Sequence, residues 1–161
     1  MKQLLGIGIT ICALGYIQAQ ASERYTTYEN ERFGYRVLYP ANLVSPLPES
    51  DNGDGRKFKS GDGKITLSVW GANNALNRSL RAQMNAARRD WAKDQARVTY
   101  TRFTPDFYVL SGTTGDQIFY EKTVPQGEGF ATMLWQFPVA SRPRMNDIVT
   151  KTSRAFKSTD G

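Results

Sequence analysis

Residues 57–70 read Lys-Phe-Lys-Ser-Gly-Asp-Gly-Lys-Ile-Thr-Leu-Ser-Val-Trp, and this stretch decides the kind of fold that the chain adopts. Asp62-Gly63 is a strong two-residue turn signal, so the flanking runs Lys57–Lys59 and Ile65–Trp70 are predicted to pair as a hairpin. Apolar residues alternate with threonine and serine in the second run, which indicates a strand with one buried face. The stretch therefore predicts antiparallel pairing and a core on one side of it.

The residues before this hairpin predict another one. Tyr25–Tyr28 and Tyr35–Tyr39 have the aromatic and β-branched composition of strands, and Asn30–Gly34 forms a tight turn between them. Pro40 should end the second strand, because proline cannot donate a hydrogen bond to a sheet. Ala41–Asp54 is polar and contains two prolines, so it is predicted to be a loop.

Further strands are predicted beyond residue 97. Their apolar and polar residues alternate, and each run ends at a glycine- or proline-containing turn. The runs are Val98–Phe103, Phe107–Ser111, Gln117–Val124 and Phe130–Phe137.

Two amphipathic helices complete the pattern. Asn77–Lys93 carries its apolar residues at 4-3-4 spacing, and Asn74 or Asn77 is a candidate cap for its start. A closing helix should begin near Ser141 with Pro143 in its first turn. Hairpins covered by two helices predict an α+β fold with a mainly antiparallel sheet of about six to seven strands.

The predicted core follows from these periodicities, because the inward positions of strands repeat every second residue and those of helices every third or fourth. It comprises Val37, Ile65, Leu67, Val69, Leu80, Met84, Trp91, Ile148 and Phe156.

The N-terminal 21 residues have the three-part pattern of a secretory signal peptide. Met1-Lys2-Gln3 is basic, Leu4–Ile17 is apolar, and Ala19-Gln20-Ala21 is a small-residue cleavage pattern. The apolar run is too short to span a bilayer comfortably, so no transmembrane anchor is predicted. We therefore expect a periplasmic or secreted protein whose single domain covers residues 22–161.

The residue types that are absent exclude several kinds of chemistry. The chain has no histidine, and its one cysteine, Cys12, lies in the predicted signal peptide. Histidine-dependent catalysis, cysteine nucleophiles and zinc or copper sites built on these residues are therefore excluded in the mature protein. Asp51–Gly55 resembles a calcium loop only superficially and is better interpreted as two turns. We predict no catalytic residue, no metal and no cofactor.

The charge pattern indicates what kind of partner to expect. The chain has 21 lysines and arginines against 15 acids, a net charge of +6. Arg78, Arg81 and Arg89 are predicted to lie on the outer face of the first helix, where no acid occurs between residues 76 and 89. This cluster is the predicted partner-binding site, and a protein of the bacterial envelope is the expected partner. The positive charge itself favours an acidic protein, an anionic lipid or a cell-wall polymer. Nucleic acid is not expected, because neither a binding motif nor the compartment supports it.

One protein family resembles this chain over nearly its whole mature length. The matching stretch is Arg32-Phe33-Gly34-Tyr35-Arg36-Val37-Leu38-Tyr39-Pro40, followed by the glycine turns at 51–55 and 60–64. With the order hairpin, hairpin, helix, meander and helix, it resembles the PsbP-like α/β/α sandwiches, which include small secreted bacterial proteins. The resemblance implies a non-enzymatic adaptor or binding role and transfers no catalytic residue.

Three functions remain open on the sequence. The preferred one is a non-catalytic protein-binding module, for example an immunity or inhibitor protein or an envelope adaptor. The second is a carrier of a small apolar or amphiphilic ligand, which would need a large apolar cavity. The third and least favoured is a hydrolase that uses two carboxylates, which would need to meet in one cleft.

Overall fold

The computed structural model describes residues 22–158. The predicted signal peptide, residues 1–21, lies outside the described residues, as do the last three residues of the predicted domain. Among residues 22–158 no helix is long and apolar enough to cross a membrane.

The described chain forms strands that pair throughout with antiparallel neighbours. A seven-stranded sheet has the order β3-β4-β5-β9-β8-β7-β6, and β1 and β2 form a separate two-stranded hairpin. The strands are β1 Tyr25–Asn30, β2 Tyr35–Pro40, β3 Ser45–Glu49, β4 Gly55–Lys59, β5 Thr66–Asn73, β6 Arg97–Phe103, β7 Tyr108–Thr114, β8 Gln117–Gln126 and β9 Gly129–Pro138.

Two fourteen-residue helices cover the large sheet, one on each face. Helix α1 spans Leu80–Lys93, and α2 spans Arg142–Ala155 after a short 3-10 turn at Val139–Ser141. This arrangement confirms the predicted α+β class and the mainly antiparallel sheet.

The sheet separates two apolar cores. The larger core lies beneath α2 and the β1–β2 hairpin, and fully buried Trp135 of β9 donates from Nε1 to Thr152 Oγ1 of α2 at 3.0 Å. The smaller core lies beneath α1, where the Trp91 ring stacks on Phe119 of β8 with ring centroids 3.9 Å apart. Each helix is therefore held to the sheet by an apolar stripe and a central aromatic contact.

Strand β8 supplies side chains to both cores because neighbouring residues of a strand point to opposite faces. Tyr120 and Lys122 contact α2, whereas Phe119 and Glu121 contact residues on the α1 side. Two ionisable residues that are adjacent in the sequence are thus buried on opposite faces of one sheet.

Most of the predicted core is confirmed, but two positions are only half-buried. Val37, Ile65, Leu67, Val69, Met84, Ile148 and Phe156 are buried. Leu80 and Trp91 instead lie at the margin of the smaller core and are partly exposed. The core beneath α1 has only four buried residues, so it is too small to cover the side chains near both ends of the helix.

The predicted start of the first helix was wrong by three residues. The helix begins at Leu80, and Ser79 caps it by accepting a hydrogen bond from Ala82 N at 3.2 Å. Asn74 instead exchanges two 2.8 Å hydrogen bonds with the backbone of Arg78, and Asn77 has a positive φ of 45°. A residue in that left-handed conformation cannot continue a helix, so residues 74–78 form a turn before it.

The predicted loop at Ala41–Asp54 was also wrong in part, because it contains β3. Pro46 and Pro48 of β3 cannot donate backbone hydrogen bonds, which made the segment look irregular. They are tolerated because β3 is an outermost strand and, within residues 22–158, pairs only with β4. The turn interpretation is confirmed for residues 51–54, where the Gly53 N–H donates to Ser50 O at 2.8 Å, but the second predicted turn was wrong, because Gly55 is the first residue of β4.

Candidate functional site

A groove of about 560 Å³ lies on the α2 side of the large sheet, and we call it the basic groove. Strands β6, β7 and β8 form its floor, and the C-terminal end of α2 with the residues after it forms one wall. The residues that line it and matter below are Tyr100, Arg102, Asp106, Phe107, Tyr120, Lys122, Arg154 and Lys157.

The end of α2 is positioned by buried contacts. Thr152 Oγ1 donates to Ile148 O at 2.8 Å, and the Phe156 N–H closes the helix by donating to Thr152 O at 3.0 Å. Phe156 is fully buried and packs edge-on against Tyr35 of β2, with ring centroids 6.3 Å apart. The last turn of α2 is therefore anchored, and its final carbonyl groups point toward β8.

Lys122 of β8 satisfies those carbonyl groups. Its ammonium donates to Ser153 O at 2.7 Å and to Phe156 O at 2.6 Å. The last carbonyls of a helix have no partner within the helix and carry the negative end of its dipole, so a cation there is favourable. The Lys122 Nζ also lies 4.5 Å from the Phe107 ring centroid, a cation–π contact.

The surroundings of Lys122 make its charge costly. The residue is 5% exposed. Burial lowers the pKa of its ammonium to about 8, and the nearby cations Lys157 and Arg102 add to the effect. An anion in the groove would relieve part of this cost, because an opposite charge favours the charged form of lysine.

The other charges around the groove have the same sign. Arg102 on β6, Arg154 on α2 and Lys157 are exposed, and Asp106 is the single carboxylate among the lining residues. The Arg102 guanidinium lies 5.4 Å from the Phe107 ring centroid, over the same ring that faces Lys122. An aromatic ring between cations suits a ligand that carries negative charge on an apolar or planar body.

Tyr120 contributes a neutral polar group to the groove. Its hydroxyl shares a 2.7 Å hydrogen bond with Ser153 Oγ, and burial raises the pKa of this hydroxyl above its usual value. The hydroxyl therefore stays protonated at neutral pH and can either donate or accept a hydrogen bond.

The opposite face of β8 holds a buried carboxylate. Glu121 accepts hydrogen bonds from Trp91 Nε1 at 2.7 Å and from the Tyr108 hydroxyl at 3.0 Å. Burial raises its pKa, and these two donors oppose the increase. Asp90 lines the same cleft of about 340 Å³ and is paired with Lys93 at 2.7 Å. Asp94 also lines this cleft, so two of its three carboxylates, Glu121 and Asp90, hold structural partners.

The three arginines predicted as a partner site have different surroundings. Arg78 precedes α1, and its Nη1 reaches Gln83 Oε1 at 3.4 Å. Arg81 lies over the ring of Phe103 on β6, 3.9 Å from the centroid, and Arg89 is exposed one helix turn from the end of α1. Their role in binding stays a prediction.

The sequence interpretation missed the basic groove, although one signal was present. In the run Ile118, Tyr120, Lys122, Val124, a lysine occupies a position at which the alternation predicts a buried residue. A lysine at an inward strand position needs polar partners, and these could have been sought in neighbouring elements. The end of α2 supplies these polar partners, and only tertiary packing brings it next to Lys122.

No protein-family model matches the chain, and no curated protein sequence matches it either. Among solved structures, the fold is similar to the solution structure of cyanobacterial PsbP (CyanoP) from Synechocystis sp. PCC 6803. The TM-score is 0.63 at 13% sequence identity, and the match covers 89% of this chain and 97% of that one. The fold is therefore PsbP-like, as the sequence resemblance predicted.

Proposed function

We propose that this protein is a non-catalytic binding module of the cell envelope, periplasmic or secreted, that holds an acidic segment of a protein partner in the basic groove. The single observation behind this proposal is the composition of the groove. Four cations and one carboxylate line it, around an aromatic ring that two of the cations face. Such a module is suited to act as an immunity or inhibitor protein, or as an adaptor in the envelope.

The positions of the charges support binding rather than chemistry at this site. The Lys122 ammonium is held by two backbone carbonyl groups, so using it as a base or nucleophile would disturb the end of α2. The exposed Arg102, Arg154 and Lys157 are free of that constraint and can steer an acidic partner into the groove. Such attraction speeds association and weakens as salt screens the charges.

The compartment in this proposal rests on the signal-peptide pattern of residues 1–21. A modest positive charge, +6 over the whole chain, suits a partner with an acidic surface in the same compartment.

The test compares two charge reversals of equal size in the host that makes the protein. Arg102→Glu with Arg154→Glu changes the groove, and Arg88→Glu with Arg89→Glu changes the exposed face of α1 by the same charge. A photo-crosslinking amino acid at position 157 should give a discrete adduct with an envelope protein. The groove variant should lose this adduct, and the α1 variant should keep it.

Two results would contradict the proposal. One is an adduct of equal yield in both variants at low salt, which would place the binding surface elsewhere. The other is an adduct from a crosslinking amino acid at position 85, exposed on α1, that disappears only in the α1 variant, which would favour the Arg78, Arg81 and Arg89 surface instead.

A carrier of a small amphiphilic anion is the second candidate, favoured by the size and floor of the same groove. Its volume of about 560 Å³ lies in the range of small-molecule sites, and Phe107, Val109 and Val124 form apolar parts of the lining. Native mass spectrometry of protein exported by its host distinguishes the two. A carrier should show a bound mass that organic extraction removes, whereas a protein-binding module should show the bare chain.

A further inference from the structure

We propose that the acidic partner segment binds as an additional β-strand along β6, the outermost strand of the large sheet beside the basic groove. This inference rests on the proposed function and specifies the conformation of its partner. The occupant is an extended segment of a partner protein with acidic side chains at alternate positions.

The two outermost strands of the sheet differ in how well they can accept another strand. On β3, Pro46 and Pro48 lack backbone donors and Glu49 adds a negative charge. On β6, residues 97–103 read Arg-Val-Thr-Tyr-Thr-Arg-Phe, contain no proline, and pair only with β7 among the described strands. Proline is one of the means by which outermost strands avoid pairing with other chains, and β6 lacks it.

The ladder between β6 and β7 shows which backbone groups face outward. The Thr104 N–H donates to Phe107 O at 2.9 Å, and Arg102 is opposite Val109 two positions further along. Hydrogen-bonded and non-bonded pairs alternate in antiparallel strands, so the N–H and C=O groups of Thr101 and Phe103 point away from β7. A bulge between Val98 and Tyr100 confines the regular part of this edge to residues 100–103.

The charges along this edge select the partner. Arg97 and Arg102 are the charged residues of β6, and Arg81 lies over the Phe103 ring. Arg102 and the half-exposed Tyr100 also line the basic groove, so alternate side chains of an added strand would point toward Arg154 and Lys157. A second copy of this chain is a poorer occupant, because pairing β6 with β6 would bring like charges together. Added strands of this kind gain affinity from the backbone and specificity from alternate side chains.

The test uses a synthetic peptide of alternating glutamate and threonine, blocked at both ends, and two N-methylated versions of it. One version is methylated at every glutamate and the other at every threonine. An added strand turns the N–H groups of only one set toward β6. We therefore expect one methylated peptide to bind at least tenfold more weakly than the parent and the other to bind within twofold of it, by calorimetry at low salt.

Two variants connect the result to the strand. Thr101→Pro removes an outward N–H at a position where proline is tolerated, and it should weaken the parent peptide at least tenfold while retaining the thermal unfolding transition. Lys57→Glu with Lys64→Glu reverses two exposed cations on and just after β4, away from β6, and should leave peptide affinity unchanged. If Thr101→Pro unfolds the protein, the pair of methylated peptides still decides the question.

Three outcomes would contradict strand addition, and each points to a different alternative. Equal affinity of the parent and both methylated peptides, with a loss on Arg102→Glu and Arg154→Glu, would show a charge-only contact in the groove and leave the proposed function intact. No binding of the parent peptide at millimolar concentration overturns the inference, and the crosslinking experiment then judges the proposed function separately. A dimer in sedimentation that Thr101→Pro dissociates would assign the edge to a second copy of this chain.

Discussion

Lys122 and Glu121 are the two residues whose environments depart most from those of ordinary surface charges. They are consecutive in β8, both are buried, and they face opposite cores. Each can be buried because its hydrogen-bond partners offset part of the cost of removing a charge from water. Two carbonyl oxygens accept from the Lys122 ammonium, and an indole and a phenol donate to the Glu121 carboxylate. Both should therefore make the stability of the protein depend on pH.

The cost of burying Lys122 should decrease, and the stability of the protein should increase, as the pH rises above neutral. Burial lowers its folded-state pKa to about 8, below the usual lysine value, so the native state releases its proton first. The free energy of unfolding relative to a Lys122→Met variant should therefore increase from about pH 8 to about pH 10.5, by an amount on the order of 1 kcal/mol. Urea unfolding of both proteins at several pH values measures this. A constant difference would show that the ammonium is well solvated.

Glu121 should have the opposite dependence at acidic pH. Burial raises its pKa in the folded state, so the native protein binds a proton more tightly than the unfolded chain does. Stability relative to a Glu121→Gln variant should then decrease as the pH rises through the interval above the usual glutamate pKa. Paired thermal unfolding of the two proteins between pH 4 and pH 7 tests this. An increase over that interval would mean that the hydrogen bonds from Trp91 and Tyr108 outweigh burial.

At the scale of elements, the two helices are held to the sheet by unequal cores. Helix α2 packs with the β1–β2 hairpin over a core of eighteen buried residues, whereas the core beneath α1 has four. Helix α1 should therefore be the less stable attachment of the two.

Truncations along α1 should show this gradient. Met84 is 5% exposed, so Met84→Ala should lower the free energy of unfolding by about 2–5 kcal/mol through lost burial and a cavity. Leu80 is partly exposed, so water already reaches part of its side chain. Leu80→Ala should therefore lower the free energy of unfolding by less than Met84→Ala does. Denaturant midpoints of the two variants give the comparison. Equal losses would mean that the start of α1 is as well packed as its centre.

At the scale of the whole molecule, the N-terminal pattern predicts export and cleavage. The protein recovered from its native host should begin near Ser22 and carry no lipid, since Ile11 before Cys12 is too large for a lipoprotein cleavage signal. Intact-mass measurement checks both statements. A retained N-terminus, or added mass on Cys12, would contradict the predicted compartment.

Binding at the basic groove should also depend on salt in a way that packing does not. Exposed cations at Arg102, Arg154 and Lys157 attract an acidic partner over a distance that salt shortens. The association rate with the crosslinked partner should decrease as sodium chloride increases, while the dissociation rate changes less. Stopped-flow mixing measures both. A salt-independent association rate would favour an apolar contact instead.

Local patterns were enough to determine much of this protein. Alternation and turn residues such as Asp62-Gly63 placed most strands, helical spacing placed α1 and α2, and both together predicted the α+β class. These signals work because the side-chain period of an element is a property of consecutive residues. They failed where a local rule had an exception, as at the proline-containing β3, or where a turn precedes a helix, as at Asn77.

Tertiary structure alone decided the groove. The sequence places Lys122 in a strand and Ser153 and Phe156 near the end of a helix, about thirty residues apart. Only the packing of α2 across β8 brings the ammonium to those carbonyl groups. The same packing brings Arg102, Arg154 and Lys157 into one groove with Phe107, whereas Arg78 and Arg81, close together in the sequence, contact different residues, Gln83 and Phe103. Charge recognition depends on distance in space, and a run of residues along the chain does not specify that distance.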